Sequence, residues 1–438
     1  MEFPIINYTV AILYKIFGYH EFIYRLLELL IFSMGLLCAF TISFYYTMNK
    51  WMSMAIMLIF GAIPLLSFYA ANFLPDIVSL SLLLMAWTLL IKAIQKPARK
   101  YFILAFTGLW LACLIKITSL IYLPAFMYFI LLNFRKQDRK TVAIRLIVIT
   151  GILVSLTLPW YYYASWLSSK TYSEVFLLQF MPHNSVSEFM DVYKEVSEVW
   201  LDRLFLIPIT LFLFFFPVVF AMIPGLNKEM KWMGLILLSS VMIFMLLMWQ
   251  QFRHHDYYMI MICPLFLISI IQLTMVTQYF KLHKGIIIAL LFVLSVFNSL
   301  RASNYLNLVY DRSQWYYGSL HFDNYFDFEN SLREMNVSSE VPVISVFDHS
   351  PDISLYLMNQ KGVTVSYRKT ELTLQKYIDS GAFQYLIYDP SSNFEKIAFD
   401  DSKYPVTLEK EIYGIKVFRV NNFREGMPVP AFKLSPWN

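Results

Sequence analysis

The densest group of side chains that could do chemistry lies in the segment QFRHHDYYM, residues 251–259. Arginine offers a planar fork for phosphate oxygens, histidine titrates near neutral pH, and tyrosine hydroxyls can hold an anion. Arg253, His255, Tyr257 and Tyr258 are therefore candidates for binding a phosphate group. The alternative is an interfacial belt of aromatic residues with ordinary loop charges. The two adjacent histidines do not indicate a metal site, because neighbouring side chains point apart on a helix or strand.

Two more ionisable residues lie beside or within apolar runs, where a charge is costly and is by default a site candidate. Asp76 follows Pro75 in NFLPDIVSL. It is either an acid that interacts with a helix N-terminus or a carboxylate that faces a catalytic cavity. Lys116 lies in CLIKITSLIYLP. It either extends its ammonium to the membrane interface, forms a structural ion pair, or helps to hold a lipid phosphate.

Membrane-spanning helices are the elements that must position these residues. The 438-residue chain is 58% hydrophobic and 15% charged, whereas soluble domains carry about 25% charged residues. Apolar runs of about 20 residues, the length that spans a bilayer, recur through the first 300 residues. We predict ten spans, at 26–47, 52–70, 75–95, 102–115, 118–134, 143–163, 204–224, 232–250, 257–276 and 285–299. Three of these spans are short, namely 102–115, 118–134 and 285–299.

Basic loops set the predicted orientation. By the positive-inside rule, four basic loops face the cytoplasm: 92–100, 133–140, 227–231 and 281–284. The other connecting segments then face the outer side: 70–75, 164–203, 251–256 and everything after 300. This places Asp76 and His255 on the same side of the membrane, and it favours a multi-pass protein of the bacterial inner membrane with a periplasmic C-terminal domain. The long outer loop 164–203 looks amphipathic, and its His183 is a weaker site candidate.

Residues 301–438 change character and predict a small extracytoplasmic α/β domain. The predicted strands are 341–347, 362–366, 385–389 and 412–420. The predicted helices are 327–335, 352–358 and 371–381. The segment DHSPD (348–352) is either a site or a helix cap after a strand. The fold class is thus mainly α, a transmembrane bundle over 1–300 with an α/β domain over 301–438.

Other classes of site find no support in the sequence. The three cysteines all lie within apolar runs, which indicates inert packing residues rather than a disulfide framework or a metal cluster. No glycine-rich phosphate loop or nucleic-acid motif is visible, so a nucleic-acid partner is not expected.

The order of these motifs resembles the GT-C superfamily of polytopic, lipid-dependent glycosyltransferases. Within it, the nearest likeness is to the bacterial aminoarabinose transferases of lipid A and the protein O-mannosyltransferases. The opening EFPIINYTVAILYKIFGYHEFIYR (2–25) is similar to their juxtamembrane segment, which gives residues 1–22 a juxtamembrane role. The positions that match in this segment are Glu2, Pro4, Tyr8, Phe17, Gly18, Phe22 and Arg25. Further matches are Asp76, Lys116, Pro124, His255, Tyr257, Tyr258 and Pro264.

The resemblance implies transfer of a sugar from a polyprenyl-phosphate donor to a hydroxyl of a glycan, lipid or protein acceptor, with membrane lipids as further partners. Glu2 and Asp76 would be supporting acids. The donor's lipid phosphate would be bound by Lys116, Arg253, His255, Tyr257 and Tyr258. The family's main catalytic aspartate lies in a first outer loop, which we expect upstream of Glu2 together with another helix, so the chain as written is expected to be inactive. Some relatives bind a divalent metal, which leaves a metal possible, but no metal ligand and no other cofactor is assigned here.

Two other functions remain open at this point. A transporter or flippase of lipid-linked sugars would favour inverted repeats and charges near the membrane midplane, and neither is visible. A membrane anchor that presents the C-terminal domain as a binding module would make the charges of the outer loops dispensable. The sequence does not identify the sugar or the acceptor.

Overall fold

Helices make up the first of the two units into which the chain divides, Met1–Leu306 and Asn307–Asn438. The computed structural model describes residues 3–96, 98–133, 139–171, 182, 183, 185–310, 325, 328–346, 348, 353–365, 370–390 and 399–428. The α-helices that begin in the first unit are α1 Ile5–Phe17, α2 Glu21–Thr47, α3 Lys50–Gly61, α4 Pro64–Tyr69, α5 Pro75–Gln95, α6 Arg99–Ile115, α7 Leu123–Asn133, α8 Arg139–Thr171, α9 Val186–Val199, α10 Ile207–Met222, α11 Lys228–Leu247, α12 Gln251–His254, α13 Cys263–Tyr279 and α14 Lys284–Tyr310. Short 3₁₀ helices cover Ile117–Tyr122, Leu201–Arg203 and Asp256–Ile262.

All ten predicted spans fall on helical segments, but they differ in length and continuity. By length and composition, five helices of the described chain could cross a membrane: α2, α5, α11, Asp256–Tyr279 and α14. The pair Val186–Arg203 and Ile207–Met222, bent by 96°, would make a sixth. The predicted span 52–70 is broken between α3 and α4, and 118–134 begins as a 3₁₀ helix. Among the described residues, the count of ten exceeds the number of uninterrupted, membrane-length helices. One reason is that periodic apolar sequence does not show where a helix breaks.

Helix α5 is the most enclosed of the long helices outside Asp256–Tyr279, with 72% of its most apolar window buried. It packs against α2 at Gly35, where an added Cβ would lie 2.8 Å from the Oγ of Ser81 and 3.1 Å from its Cα. Membrane helices approach each other closely through such small residues. Close packing on α2 therefore holds α5, and with it the first turn that carries Asp76.

The two ends of α2 contact different sets of loops. Near its C-terminal end, the Oη of Tyr46 donates to Oε1 of Glu229 at 3.2 Å, and Nε2 of Gln278 donates to the carbonyl of Thr47 at 3.2 Å. These bonds bring the basic loops 227–231 and 281–284 to this end. At the other end, Arg25 donates to the carbonyl of Ala71 at 3.0 Å. We call this second end, where α5 begins, the Asp76 end.

The second unit holds a five-stranded sheet of order β2-β1-β3-β5-β4. The strands are β1 Val343–Val346, β2 Gly362–Val365, β3 Tyr385–Tyr388, β4 Val406–Ile412 and β5 Ile415–Val420. Strand β1 is parallel to β2 and β3, whereas β5 is antiparallel to β3 and β4. The helices are α15 Phe328–Glu334, α16 Ile353–Leu357 and α17 Thr370–Asp379. Three predicted strands and three predicted helices lie within a few residues of these elements.

One strand prediction in this unit was wrong. Residues 412–420 were expected as a single strand, but they contain the turn of a hairpin between β4 and β5. Tyr413 and Gly414 have φ of +53° and +80°, and two central residues with positive φ make the hairpin turn whose twist matches the strands. The tyrosine hid this turn, since such turns usually carry Asn or Asp before the glycine.

The DHSPD segment supports its capping interpretation where the structure describes it. Oδ2 of Asp348 accepts the backbone N–H of Ser354 at 2.8 Å, in the first turn of α16. Residues 349–352 lie outside the described part of the chain.

Candidate functional site

Lys116 lies at a break between two helices. Helix α6 ends at Ile115, the 3₁₀ helix begins at Ile117, and Lys116 between them is extended, with φ −142° and ψ 109°. The carbonyl groups freed by this break are those of Cys113 and Leu114, and Tyr161 donates to them at 3.1 and 3.0 Å. The carbonyl of Ala112 keeps its helical bond from the N–H of Lys116 and also accepts the hydroxyl of Ser79 at 2.8 Å. The break is thus compatible with an apolar environment, where unsatisfied backbone groups are costly.

Asp76 is the second residue of α5, directly after Pro75. Proline suits the first helical position because its missing N–H would be unpaired there, and an acid in the first turn complements the helix dipole. The interpretation of Asp76 as an acid that interacts with the helix N-terminus agrees with this position, and its carboxylate also reaches Lys116; the interpretation that it faces a catalytic cavity stays a prediction. Nζ of Lys116 lies 3.0 Å from Oδ2 of Asp76, and their side chains are 8% and 0% exposed. The interpretation of Lys116 as extending to the membrane interface is wrong, because its ammonium is buried in an ion pair.

The aromatic residues of the 251–259 segment meet the same ammonium. Nζ of Lys116 lies 5.0 Å from the ring centroid of Tyr257 and 5.5 Å from that of Tyr258, within range of a cation–π interaction. The ring of His255 lies 5.0 Å from that of Tyr257. Candidates separated by about 180 positions in sequence thus form one cluster, consisting of Asp76, Lys116, His255, Tyr257 and Tyr258; we call it the Lys116 cluster.

Asp256 anchors the 3₁₀ helix that carries the two tyrosines. Its Oδ1 accepts the hydroxyl of Tyr69 at 2.5 Å, and its Oδ2 accepts Nη1 of Arg203 at 2.5 Å. The guanidinium of Arg203 lies 4.1 Å from the ring centroid of Trp200. Sequence reasoning missed Tyr69 and Arg203. Arg203 did carry a signal, because it is a cation at the end of an otherwise poorly basic outer loop.

Three candidates selected from the sequence lie outside the Lys116 cluster or outside the described residues. Nε of Arg253 forms its described ion pair with Oε2 of Glu195 in α9, at 3.0 Å, rather than with the Lys116 cluster. The ring of His183 packs against Phe189 at 5.1 Å between centroids. Glu2 lies outside the described residues. The N–H of its neighbour Phe3 bonds to the carbonyl of Leu114 at 3.2 Å, close in sequence to Lys116.

Comparison with known proteins gives two findings. Residues 2–163 match the family model described as dolichyl-phosphate-mannose-protein mannosyltransferase. The fold is similar to that of ArnT from Cupriavidus metallidurans, solved bound to undecaprenyl phosphate, with a TM-score of 0.61 and 12% identity over 98% of this chain and 89% of that one. No curated protein matches the chain by sequence. The family match covers less than half of the chain, and the structural similarity shows an ArnT-like fold.

A buried acid in α2 was not among the candidates selected from the sequence. Glu28 in α2 is fully buried, and its Oε2 accepts the backbone N–H of Phe73 at 2.8 Å. The signal was present, since RLLELLIF (25–32) places one acid in an apolar run. The rule that selected Asp76 applies to Glu28 equally.

The described residues also bear on metal binding. Within the described part of the chain, no group of three or more His, Cys, Asp or Glu is placed to hold a metal ion. Asp76 is paired with Lys116, and a cation so close to a carboxylate disfavours a second cation there. The described residues therefore do not fit a divalent metal, and no step below involves one.

Proposed function

We propose that this protein is a membrane glycosyltransferase of the GT-C superfamily, and that it transfers a hexosyl or pentosyl group from a polyprenyl-phosphate donor to a hydroxyl of a glycan, lipid or protein acceptor. The reaction would occur at the Asp76 end of the helical unit, on the outer face of a bacterial inner membrane with the C-terminal unit periplasmic. The observation that carries the proposal is the buried ammonium of Lys116, fixed by Asp76 and faced by Tyr257 and Tyr258. A fixed cation in a dry site suits a reaction whose leaving group is a lipid phosphate.

Each residue of the Lys116 cluster has a proposed role. The bond from the sugar's anomeric carbon to the phosphate oxygen breaks as the acceptor oxygen attacks that carbon. Lys116 stabilises the charge that develops on the departing phosphate, and His255, Tyr257 and Tyr258 add hydrogen-bond donors to it. Asp76 keeps the ammonium in place, so its role is supporting.

The acceptor's proton must pass to a base. The family resemblance gives Glu2 the role of a supporting acid in this step. That role stays a prediction, because Glu2 lies outside the described residues.

Arg253 has a less direct proposed role. Its ion pair with Glu195 connects the 251–259 segment to α9. Arg253 can contact the donor phosphate only through the N–H groups that this ion pair leaves available, or after the pair has opened. We therefore propose that Arg253 acts at the edge of the site.

The transporter alternative gains no support from the placement of charge. Arg25, Asp76, Lys116 and Arg203 are linked by contacts to one end of the helical unit. A transporter of lipid-linked sugars would instead favour ionisable groups near the midplane.

The proposal is tested by transfer of radiolabelled sugar from undecaprenyl-phosphate donors to a panel of acceptors, using the full-length gene product in proteoliposomes. We expect Lys116→Met to lower kcat by about 100-fold or more, the effect typical of losing one group that stabilises transition-state charge. The matched control is Lys92→Met, which removes an exposed lysine from the last turn of α5. Rates are taken per folded protein. Equal rates for the two variants would contradict the role of Lys116, and no transfer by the wild type from any donor would contradict the proposed function.

Two further variants test the outer segment in the same assay. His255→Ala is expected to lower the rate strongly, because the imidazole lies against Tyr257. Arg253→Ala is also expected to lower it. Normal transfer by both variants would remove these two residues from the site.

A further inference from the structure

Glu28 occupies an unusual place for a carboxyl group. It lies within a membrane-length helix and is fully buried. Its Oε2 accepts one hydrogen bond, from the backbone N–H of Phe73, and its Oε1 has no hydrogen-bond partner among the described residues. A buried, half-satisfied carboxyl is unfavourable in itself. The one hydrogen bond that Glu28 accepts, from the N–H of Phe73, is therefore the contact through which it can have a role.

The residue that Glu28 holds has a strained backbone. Phe73 has φ +58°, in the left-handed region that bulky residues adopt only when their surroundings impose it. Three side chains of α2 contact Phe73, and one of them is Tyr24, whose ring centroid lies 5.0 Å from that of Phe73. Glu28 takes the N–H of Phe73, while the guanidinium of Arg25 lies 4.4 Å from its ring centroid. Residues three apart in a helix share one face, so Arg25 and Glu28 act on the same loop together.

Arg25 also holds the residues before Phe73. Its Nη1 donates to the carbonyl of Ala71 at 3.0 Å and to Oδ1 of Asn72 at 3.2 Å. Loop 71–74 is thus bound to the start of α2 at three successive residues. The chain then enters α5 at Pro75, and Asp76 follows.

We infer that Glu28 is a positioning residue for the Lys116 cluster: together with Arg25 it holds loop 71–74 so that Asp76 enters α5 facing the ammonium of Lys116. This inference rests on the proposed function only for its effect on transfer, since the binding of the loop to α2 is a property of the fold. Glu28 itself acts through Phe73 and Asp76, and not on the substrate.

The test compares Glu28→Leu with Glu28→Gln. Leucine removes the acceptor, whereas glutamine keeps an oxygen for the N–H of Phe73. The matched control on the same helix is Ser33→Ala, because Ser33 is exposed and its Oγ bonds only within α2, to the carbonyl of Leu29 at 2.8 Å. Hydrogen exchange of residues 71–80 is measured on the full chain in lipid nanodiscs. Transfer is measured as in the assay above.

For Glu28→Leu we expect amide exchange over 71–80 to accelerate by about tenfold or more, as for a segment that has lost its tertiary bonds. We expect kcat to fall by about 10- to 100-fold with a smaller change in KM, the effect of a displaced site group. Glu28→Gln and Ser33→Ala are expected to stay within about threefold of wild type in both measurements. Rescue by glutamine separates the acceptor role from a mere need for volume or charge.

The outcomes separate the inference from the proposed function. Unchanged exchange in Glu28→Leu would overturn the inference whatever the transfer rates are. Faster exchange with a wild-type kcat would overturn the link to Asp76, and failure of Glu28→Gln to rescue would overturn the acceptor role. If the wild type transfers nothing, the proposed function fails while the exchange data still test the binding of the loop. If Glu28→Leu does not fold, Arg25→Met must show the same local acceleration over 71–80, and its absence would overturn the inference.

Discussion

Replacing Lys116 by methionine should destabilise the helical unit measurably. The side chain keeps nearly its length, but Asp76, which is fully buried, loses the ammonium 3.0 Å from its Oδ2. Removing one partner of a buried ion pair costs about 3–5 kcal/mol. The dipole of α5 stabilises this acid by about 0.3–1 kcal/mol in both proteins, so it cancels in the comparison. We therefore expect the free energy of unfolding to fall by about 3–5 kcal/mol, more than roughly a 100-fold change in the ratio of folded to unfolded protein.

The measurement is reversible unfolding by sodium dodecyl sulfate in mixed micelles, followed by circular dichroism. Lys92→Met is the control, and because Lys92 is exposed we expect a change within about 0.5 kcal/mol. The double variant Asp76→Asn, Lys116→Met replaces the unpaired carboxylate by a neutral amide of similar shape. It should recover more than half of the loss, because most of that loss comes from the uncompensated charge.

Two results would refute this reasoning. Lys116→Met could be as stable as Lys92→Met, which would mean that Asp76 gains nothing from the ammonium. The double variant could instead be less stable than Lys116→Met, which would mean that the lysine's packing matters and its charge does not.

Two further predictions concern packing and the Asp256 anchor. Arg203→Met should lower the free energy of unfolding by about 1–3 kcal/mol, because it removes a donor to the buried carboxylate of Asp256. The control is Arg301→Met, whose partner carboxylate is 63% exposed, and it should change the free energy of unfolding by less than about 1 kcal/mol. Equal losses for the two variants in thermal unfolding would contradict the role of Arg203 in holding Asp256. Gly35→Ala should destabilise by about 1–3 kcal/mol, because the new methyl group meets the backbone of α5. Gly151→Ala meets nothing within 4 Å and should be neutral or slightly stabilising, so a similar loss for both alanines would contradict close packing at Gly35.

The residues of the Lys116 cluster could be selected from the sequence, whereas the contacts between them could not. Residue type and cost of burial selected Asp76 and Lys116, and sidedness grouped them with Tyr257 and Tyr258. The pairing of Lys116 with Asp76 was not predictable, because it depends on a helix break at Lys116 that apolar periodicity does not reveal. The same limit explains why 52–70 and 118–134 read as simple spans.

Residues that act through partners were the hardest to find. Glu28 bonds to a backbone N–H in a loop 45 positions away, and Arg203 bonds to an acid 53 positions away. Nothing local marks such pairs, although both residues are charged beside or within apolar segments and could have been selected on that ground. In the C-terminal unit, alternating apolar residues located most strands, but the Tyr413–Gly414 turn was hidden because its first residue is atypical.

The hydrogen bonds at the end of α6 bear on how the protein is assembled. Two carbonyl groups there, those of Cys113 and Leu114, accept the hydroxyl of Tyr161 of α8. Hydrocarbon offers no donors to such groups, so α6 and the residues before it in α5 would leave the carbonyl of Cys113 without a hydrogen bond in lipid. Biogenesis must therefore bring a helix made later, α8, to the end of α6 before the broken segment can settle.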